Sequence, residues 1–142
     1  MQFNENHKKI LIIGSEPSLV GSLEWFLETR GYSVVSILDY NEAVAALNCM
    51  KNGIDSFGAV LIEAGNSVIN DFELIGGIKK IMACIPVMVL GASDSRSLAA
   101  VYLERGADGF MDIPFSPLEL EARVNALIRR SCMAAKPVRE TN

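Results

Sequence analysis

The stretch KILIIGSEPSLVGSLEWFLETRG, at residues 9–31, joins a short apolar run to a helical pattern. The run KILIIG is continuous and ends at Gly14, as expected of a central parallel strand that is buried on both faces. After the polar turn SEPS, apolar residues recur at the spacing of one buried helix face. These residues are Leu19, Leu23, Phe26 and Leu27. Gly31 can end this helix, so the stretch predicts a strand followed by a helix.

The same alternation of apolar run and helical segment repeats four more times along the chain. Strands are predicted at residues 32–37, 58–62, 86–90 and 109–112, and helices at residues 41–50, 71–82, 95–105 and 116–130. Parallel strands joined through helices need right-handed crossovers, which cover both faces of the sheet. The sequence therefore predicts an α/β fold, a doubly wound sandwich in which a five-stranded parallel sheet is flanked by five helices.

Length and composition favour one globular domain. The chain has 142 residues, of which 50% are hydrophobic and 21% charged, and its formal net charge is −4. An acidic domain lacks the basic surface of a nucleic-acid binder, so we expect no direct nucleic-acid binding. Its apolar runs are far shorter than the ~18 residues of a membrane span, so we predict a cytoplasmic protein. We assign residues 1–130 to the domain and residues 131–142 to a polar tail or linker stub.

Few side chains suited to catalysis or metal binding are present. The three cysteines, Cys49, Cys84 and Cys132, are widely spaced and form no CxxC pair, which favours reduced structural thiols over a zinc site. The single histidine, His7, lies in the polar lead-in, so core residues cannot supply a Ser-His-Asp or Cys-His site. We therefore expect no enzyme, no metal site and no cofactor.

The order of the segments resembles the receiver domain of bacterial two-component response regulators, over residues 8–130. Six segments carry the resemblance: KILIIGSEP, RGYSVV, GAVLIE, IPVMVLGAS, GADGFMDIPF and LELEARVNALIRR. The resemblance implies a receiver or flavodoxin-like fold. In such sheets the functional residues gather at the carboxyl ends of the strands, near the switch in strand order.

The resemblance also implies where a phosphorylation site would lie. An active receiver uses an acidic pair that holds Mg²⁺, an Asp that accepts the phosphoryl group, a hydroxyl that contacts it and a Lys that pairs with it. Here Gly14 and Ser15 take the places of the acidic pair, and Glu63 takes that of the Asp. Gly91 takes the place of the hydroxyl residue and Ile113 that of the Lys. All five positions depart from the pattern, which predicts a degenerate phosphoacceptor pocket.

Some chemistry near this pocket stays open. Glu16 and Glu63 are candidates to share a weak cation. Glu63 is also a candidate mimic of a phosphorylated Asp, although Gly91 and Ile113 supply neither the hydroxyl nor the amine that would respond to it. The favoured interpretation of Glu63 is a carboxylate at a strand end that is solvated or bonded to the backbone. Phe110 stands where the family places its switch aromatic, and Gly91 leaves space for that ring to pack inward. The peptide bond after Ile113 takes the place of a family bond that is often cis.

Two surfaces are candidates for protein interaction. Resemblance to the winged-helix response-regulator subfamily places charged dimer residues on the strand and helices that end the domain. These residues are Asp108, Glu119, Arg123, Arg129 and Arg130. Exposed ion pairs contribute only about 0–1 kcal/mol each, so plain solvated charge is the alternative interpretation. Trp25 points away from the apolar face of its helix, and exposed Trp is either an interaction hot spot or a cover for its neighbours.

These observations predict a phosphorylation-independent pseudo-receiver that acts as a protein-protein interaction or dimerisation module in bacterial two-component-type signalling. Its expected partner is another protein, a covalently linked output domain or a second copy of the chain. One alternative is a ligand-sensing domain whose pocket, with Gly14, Gly91 and Ile113, is less charged and roomier. Another is a residual Mg-dependent phosphoacceptor.

Overall fold

The computed structural model describes residues 8–49, 57–64, 68–81, 83–92 and 96–135, in which strands and helices alternate. The strands are β1 (Lys9–Ile13), β2 (Ser33–Ile37), β3 (Ala59–Glu63), β4 (Val87–Ala92) and β5 (Gly109–Ile113). The helices are α1 (Pro17–Thr29), α2 (Tyr40–Cys49), α3 (Val68–Ile81), α4 (Arg96–Glu104) and α5 (Pro117–Ala135).

The five strands form one parallel sheet in the order β2-β1-β3-β4-β5. Successive side chains of a strand point to opposite faces, so Ile10 and Ile12 pack in one core while Leu11 and Ile13 pack in the other. Helices α1 and α5 cover the first face, and α2, α3 and α4 cover the second. The predicted doubly wound α/β fold is therefore confirmed.

Local signals at the helix ends act as the sequence predicts. Gly31 follows α1 with a φ of 94°, and Gly106 follows α4 with a φ of 115°. Both angles lie in the left-handed region, which glycine adopts at little cost and which commonly ends a helix. At the start of α1, the Glu16 carboxylate accepts hydrogen bonds from the amide of Ser18 at 3.4 Å and from its hydroxyl at 3.0 Å.

Most element boundaries differ from the prediction by one or two residues, for example at β4, which ends at Ala92 instead of Leu90, and a few differ by more. Helix α3 begins at Val68, three residues early, and β5 includes Ile113. Helix α5 continues to Ala135, five residues beyond the predicted end, because the segment SCMAA offers helix-favouring Met and Ala before the first proline. Residues 136–142 of the predicted tail and the predicted helix end and loop at 50–56 lie outside the described residues.

The inward face of α1 is shifted relative to the predicted stripe. Leu23 and Leu27 are buried as predicted, whereas Leu19 and Phe26 are only partly buried and Val20 is fully buried beside them. Among the cysteines, Cys84 is an exposed free thiol, and nothing is described of the side chains of the other two. Within the described ranges, no helix combines the length and apolarity needed to cross a bilayer.

Candidate functional site

Four of the predicted pocket residues meet at the carboxyl edge of the sheet. Gly14 directly follows β1, Glu63 ends β3, Gly91 is the last residue but one of β4, and Ile113 ends β5. The strand register fixes this arrangement, because Glu63 pairs with Leu90 and Gly91 pairs with the residue before Ile113. The structure thus brings the sequence-predicted pocket together.

The Glu63 carboxylate is bound to the loop between β1 and α1. Its Oε1 accepts hydrogen bonds from the backbone amides of Ser15 at 2.8 Å and Glu16 at 3.0 Å. These amides lie just before α1, where the helix dipole also favours negative charge. Glu63 therefore supplies the hydrogen-bond acceptor and the negative charge that the amides at this end of the helix favour.

Gly14 permits this close approach of Glu63. A Cβ atom at Gly14 would lie 2.6 Å from Glu63 Oε1, 3.1 Å from Glu63 Cβ and 3.0 Å from Val20 Cγ2. The 2.6 Å contact is shorter than Cβ atoms make in proteins and the other two are tight, so a side chain at position 14 would force the Glu63 carboxylate to move. The absence of an acidic residue at Gly14 and the presence of the longer Glu63 are therefore structurally linked.

The Glu16 and Glu63 carboxylates each have hydrogen-bond donors of their own. The carboxylate of Glu16 caps its own helix through Ser18, whereas that of Glu63 accepts the two loop amides. Across the part of the chain that the structure describes, no three His, Cys, Asp or Glu side chains are grouped as metal ligands would be.

Phe110 occupies the space beside Gly91. A Cβ atom at Gly91 would lie 2.7 Å from Phe110 Cζ and 3.3 Å from Phe110 Cε2. The predicted inward packing of this ring is observed. The expectation of a roomier pocket is wrong, however, because Phe110 fills the space at Gly91 and Glu63 fills the space at Gly14.

Ile113 brings an apolar side chain to the place that the resemblance gives to a Lys. It is partly buried and packs against the core that α1 and α5 cover. The peptide bond between Ile113 and Pro114 is cis, so the geometry that the resemblance implies is kept without the amine.

The charged residues of the predicted interaction face have different environments. Asp108 Oδ2 accepts hydrogen bonds from Lys79 Nζ at 2.7 Å and from the Val87 amide at 2.8 Å, so this carboxylate is engaged within the domain. Glu119 and Arg123 form an exposed ion pair of 3.0 Å along α5. Arg129 and Arg130 are exposed near the end of the same helix.

Two further surface features bear on interaction. The Trp25 side chain is 69% exposed on the outer face of α1, as its position in the helical pattern predicts. A groove of about 420 Å³ lies between α4, β5 and α5, with Ala99 and Phe110 on one side and Glu119 and Arg123 on the other.

The sequence analysis did not single out several residues that join neighbouring elements of the domain. Lys79 Nζ also donates to the carbonyl oxygens of Ala83 and Ile85, and it thereby joins the end of α3 to the loop before β4. Asp71 of α3 is buried and accepts a hydrogen bond from the hydroxyl of Tyr102 of α4. In the sequence, the one indication of the Asp71 and Tyr102 pair is an acidic residue among apolar helix positions.

Comparison with known proteins identifies relatives along most of the chain, although no family model matches it. The chain is 33% identical over 129 residues to the alkaline phosphatase synthesis transcriptional regulatory protein PhoP of Bacillus subtilis, which covers 91% of this chain and 52% of PhoP. It is 29% identical over 133 residues to the transcriptional regulatory protein PrrA of Mycobacterium tuberculosis, which covers 94% of this chain and 55% of PrrA. The chain thus spans about half the length of these curated relatives.

The fold is shared with solved receiver structures. A response regulator receiver domain protein from Clostridium thermocellum superposes with a TM-score of 0.77 at 21% identity, over 89% of this chain and 98% of that one. This likeness establishes the fold, and the similarity to the curated regulators extends over the same strands and helices. The chain belongs to the response regulator receiver domain family of two-component signalling.

Proposed function

We propose that this chain is a pseudo-receiver that works without phosphorylation and acts as a protein-interaction or dimerisation module. The observation that carries the proposal is the Glu63 carboxylate, which stands at the phosphoacceptor position and is hydrogen-bonded to the amides of Ser15 and Glu16. These bonds hold one oxygen of Glu63 against the loop between β1 and α1, at the place where an active receiver has the acidic pair that binds Mg²⁺.

The surroundings of Glu63 support the same proposal. Phosphoryl transfer depends almost entirely on positioning and on positive charge around the transferred group. Gly14 and Ser15 offer no carboxylate for Mg²⁺, which prefers such oxygen ligands. Gly91 has no hydroxyl, and Ile113 offers an apolar side chain in place of an ammonium group. A non-enzymatic role therefore forms part of the proposal.

The interaction itself is assigned to the groove between α4, β5 and α5 or to the surface around Trp25. The groove combines apolar side chains with the exposed Glu119 and Arg123 pair, a mixture typical of protein interfaces. The matching relatives are about twice as long as this chain, and two are named transcriptional regulators. We therefore propose a linked output domain, a separate protein or a second copy as the partner, in the cytoplasm and without nucleic-acid contact by this segment.

An NMR titration tests whether the pocket responds to phosphorylation chemistry. The amide resonances of Glu63, Gly91 and Phe110 are followed while Mg²⁺ and then beryllofluoride, a phosphoryl mimic, are added. We expect no saturable shifts, whereas a receiver with all five reactive side chains serves as the positive control. Saturable shifts that spread from the strand ends to α4 and α5 would overturn the proposal.

A further inference from the structure

A buried polar pair joins α3 to α4 behind the pocket. Asp71 is 2% exposed and Tyr102 is 1% exposed, and the Tyr102 hydroxyl donates a hydrogen bond to Asp71 Oδ2. Within the described residues, Asp71 is the one charged side chain among the buried positions. A buried carboxylate costs free energy unless it is hydrogen-bonded, so this pair fixes the position of the Tyr102 ring relative to α3.

The Tyr102 ring links this pair to the pocket. On one side it meets Phe72 edge-on, with ring centroids 5.3 Å apart and planes at 74°. On the other side it meets Phe110, with centroids 5.8 Å apart and planes at 37°. Both separations lie in the range at which aromatic pairs attract each other. The three rings therefore form a continuous series of ring contacts that ends at Gly91.

We propose that the Asp71 and Tyr102 pair is a positioning device that holds the Phe110 ring over Gly91 and keeps the β4 and β5 edge of the pocket in one arrangement. The inference rests on the proposed function, because an interaction surface that ignores phosphorylation needs a fixed shape. If Phe110 rotated toward the groove that it also lines, it would leave Tyr102 and uncover Gly91. The hydrogen bond to Asp71 holds Tyr102 in place. Phe110 would therefore lose its contact with the Tyr102 ring if it moved, which opposes the motion.

The protonation chemistry of the pair agrees with a permanent contact. Burial, and next the hydrogen bond to Asp71, raise the pKa of Tyr102 above its ordinary value of 10.0. The hydroxyl therefore remains a donor throughout the physiological pH range.

Chemical shifts of Gly91 report the ring position directly. We expect Phe110→Leu to move the Gly91 Hα and amide resonances, because it removes the ring current. Tyr102→Phe is expected to move them part of the way in the same direction and to weaken the nuclear Overhauser contacts between Phe110 and Gly91. The matched control is Tyr40→Phe, which removes another tyrosine hydroxyl bonded to a carboxylate, that of Glu73. Unchanged Gly91 resonances in Tyr102→Phe would overturn the inference.

A double-mutant cycle gives a second, independent measurement. Gly91→Ser in the presence of Phe110 should raise the unfolding equilibrium constant by about tenfold, since overpacking of this kind is destabilising. The same substitution in a Phe110→Ala background should cost at least about threefold less, because the two sites then no longer compete for space. Additive effects would overturn the inference that the Phe110 ring is held over Gly91.

The beryllofluoride titration and the experiments on Phe110 test the two proposals independently of each other. Shifts induced by beryllofluoride would refute phosphorylation independence, whatever holds Phe110 in place. An additive cycle with a silent beryllofluoride titration would refute the positioning device and leave the proposed function standing.

Discussion

Shortening Glu63 by one methylene group should destabilise the domain even though it restores the Asp of the family pattern. Glu63→Asp withdraws the carboxylate by roughly one C–C bond, about 1.5 Å. The hydrogen bonds of 2.8 Å and 3.0 Å to the Ser15 and Glu16 amides would then exceed hydrogen-bonding distance. Both amides would have to find water instead.

The size of the effect follows from the number and exposure of these bonds. A hydrogen bond to a charged group contributes about 1.5–3 kcal/mol when it is well shielded. Ser15 and Glu16 are exposed, so water can replace much of each bond, and we expect a loss of about 1–2 kcal/mol for the two together. For a domain of this size that corresponds to a Tm lower by about 3–8 °C. Glu63→Gln keeps an acceptor oxygen and should cost about half as much.

Urea and thermal unfolding of the wild type, Glu63→Asp and Glu63→Gln measure this loss of stability directly. Asp112→Asn is the matched control, because Asp112 is an exposed carboxylate near the end of β5, two strands away from Glu63 in the sheet. It should leave the unfolding midpoint unchanged. Mass spectrometry after incubation with acetyl phosphate and Mg²⁺ should find Glu63→Asp unmodified, since the other four positions still lack their reactive groups. Wild-type stability in Glu63→Asp, or its phosphorylation, would refute the reasoning.

Three further substitutions test other parts of the structure. Lys79→Met removes the ion pair with Asp108 and the bonds to two carbonyl oxygens, so it should lower the free energy of unfolding by about 1–3 kcal/mol; an unchanged urea midpoint would contradict this. The raised pKa of Tyr102 means that the folded state keeps a proton which the unfolded state loses above pH 10. Stability should therefore fall above that pH by up to about 1.4 kcal/mol per pH unit, and Tyr102→Phe should flatten the slope measured by denaturant unfolding. Trp25→Ala should change stability by less than about 0.5 kcal/mol, because the side chain is exposed. If the α1 surface binds a partner, the same variant should weaken binding to it in a pull-down from the native host.

The sequence was sufficient to predict the fold because the three central strands β1, β3 and β4 are buried on both faces. Such strands appear as continuous apolar runs, and Gly31 and Gly106 mark the ends of two of the helices. The end of α5 was missed because Met and Ala after Arg130 continue a helix without adding to its apolar stripe.

The partners of individual side chains were harder to predict. Asp108 meets Lys79, which is 29 positions away in the sequence, and Tyr102 meets Asp71, which is 31 positions away. Neither pair shares a helix face or a strand, so no periodicity relates its members. For Glu63 the sequence predicted a carboxylate at a strand end that is solvated or bonded to the backbone, but not which amides it binds, because their direction is not encoded by residue type.

The replacements in the pocket are coupled to one another. Glycine has no side chain, so Gly14 and Gly91 could have left empty space at this edge of the sheet. Instead, a Cβ atom at Gly14 would lie 2.6 Å from Glu63 Oε1, and one at Gly91 would lie 2.7 Å from Phe110 Cζ. The space beside each glycine is thus filled by a larger neighbouring side chain. A carboxylate at position 14 or a hydroxyl at position 91 would displace that neighbour. The packing of this edge of the sheet therefore depends on Gly14 together with Glu63 and on Gly91 together with Phe110, so a single substitution in either pair would disturb it.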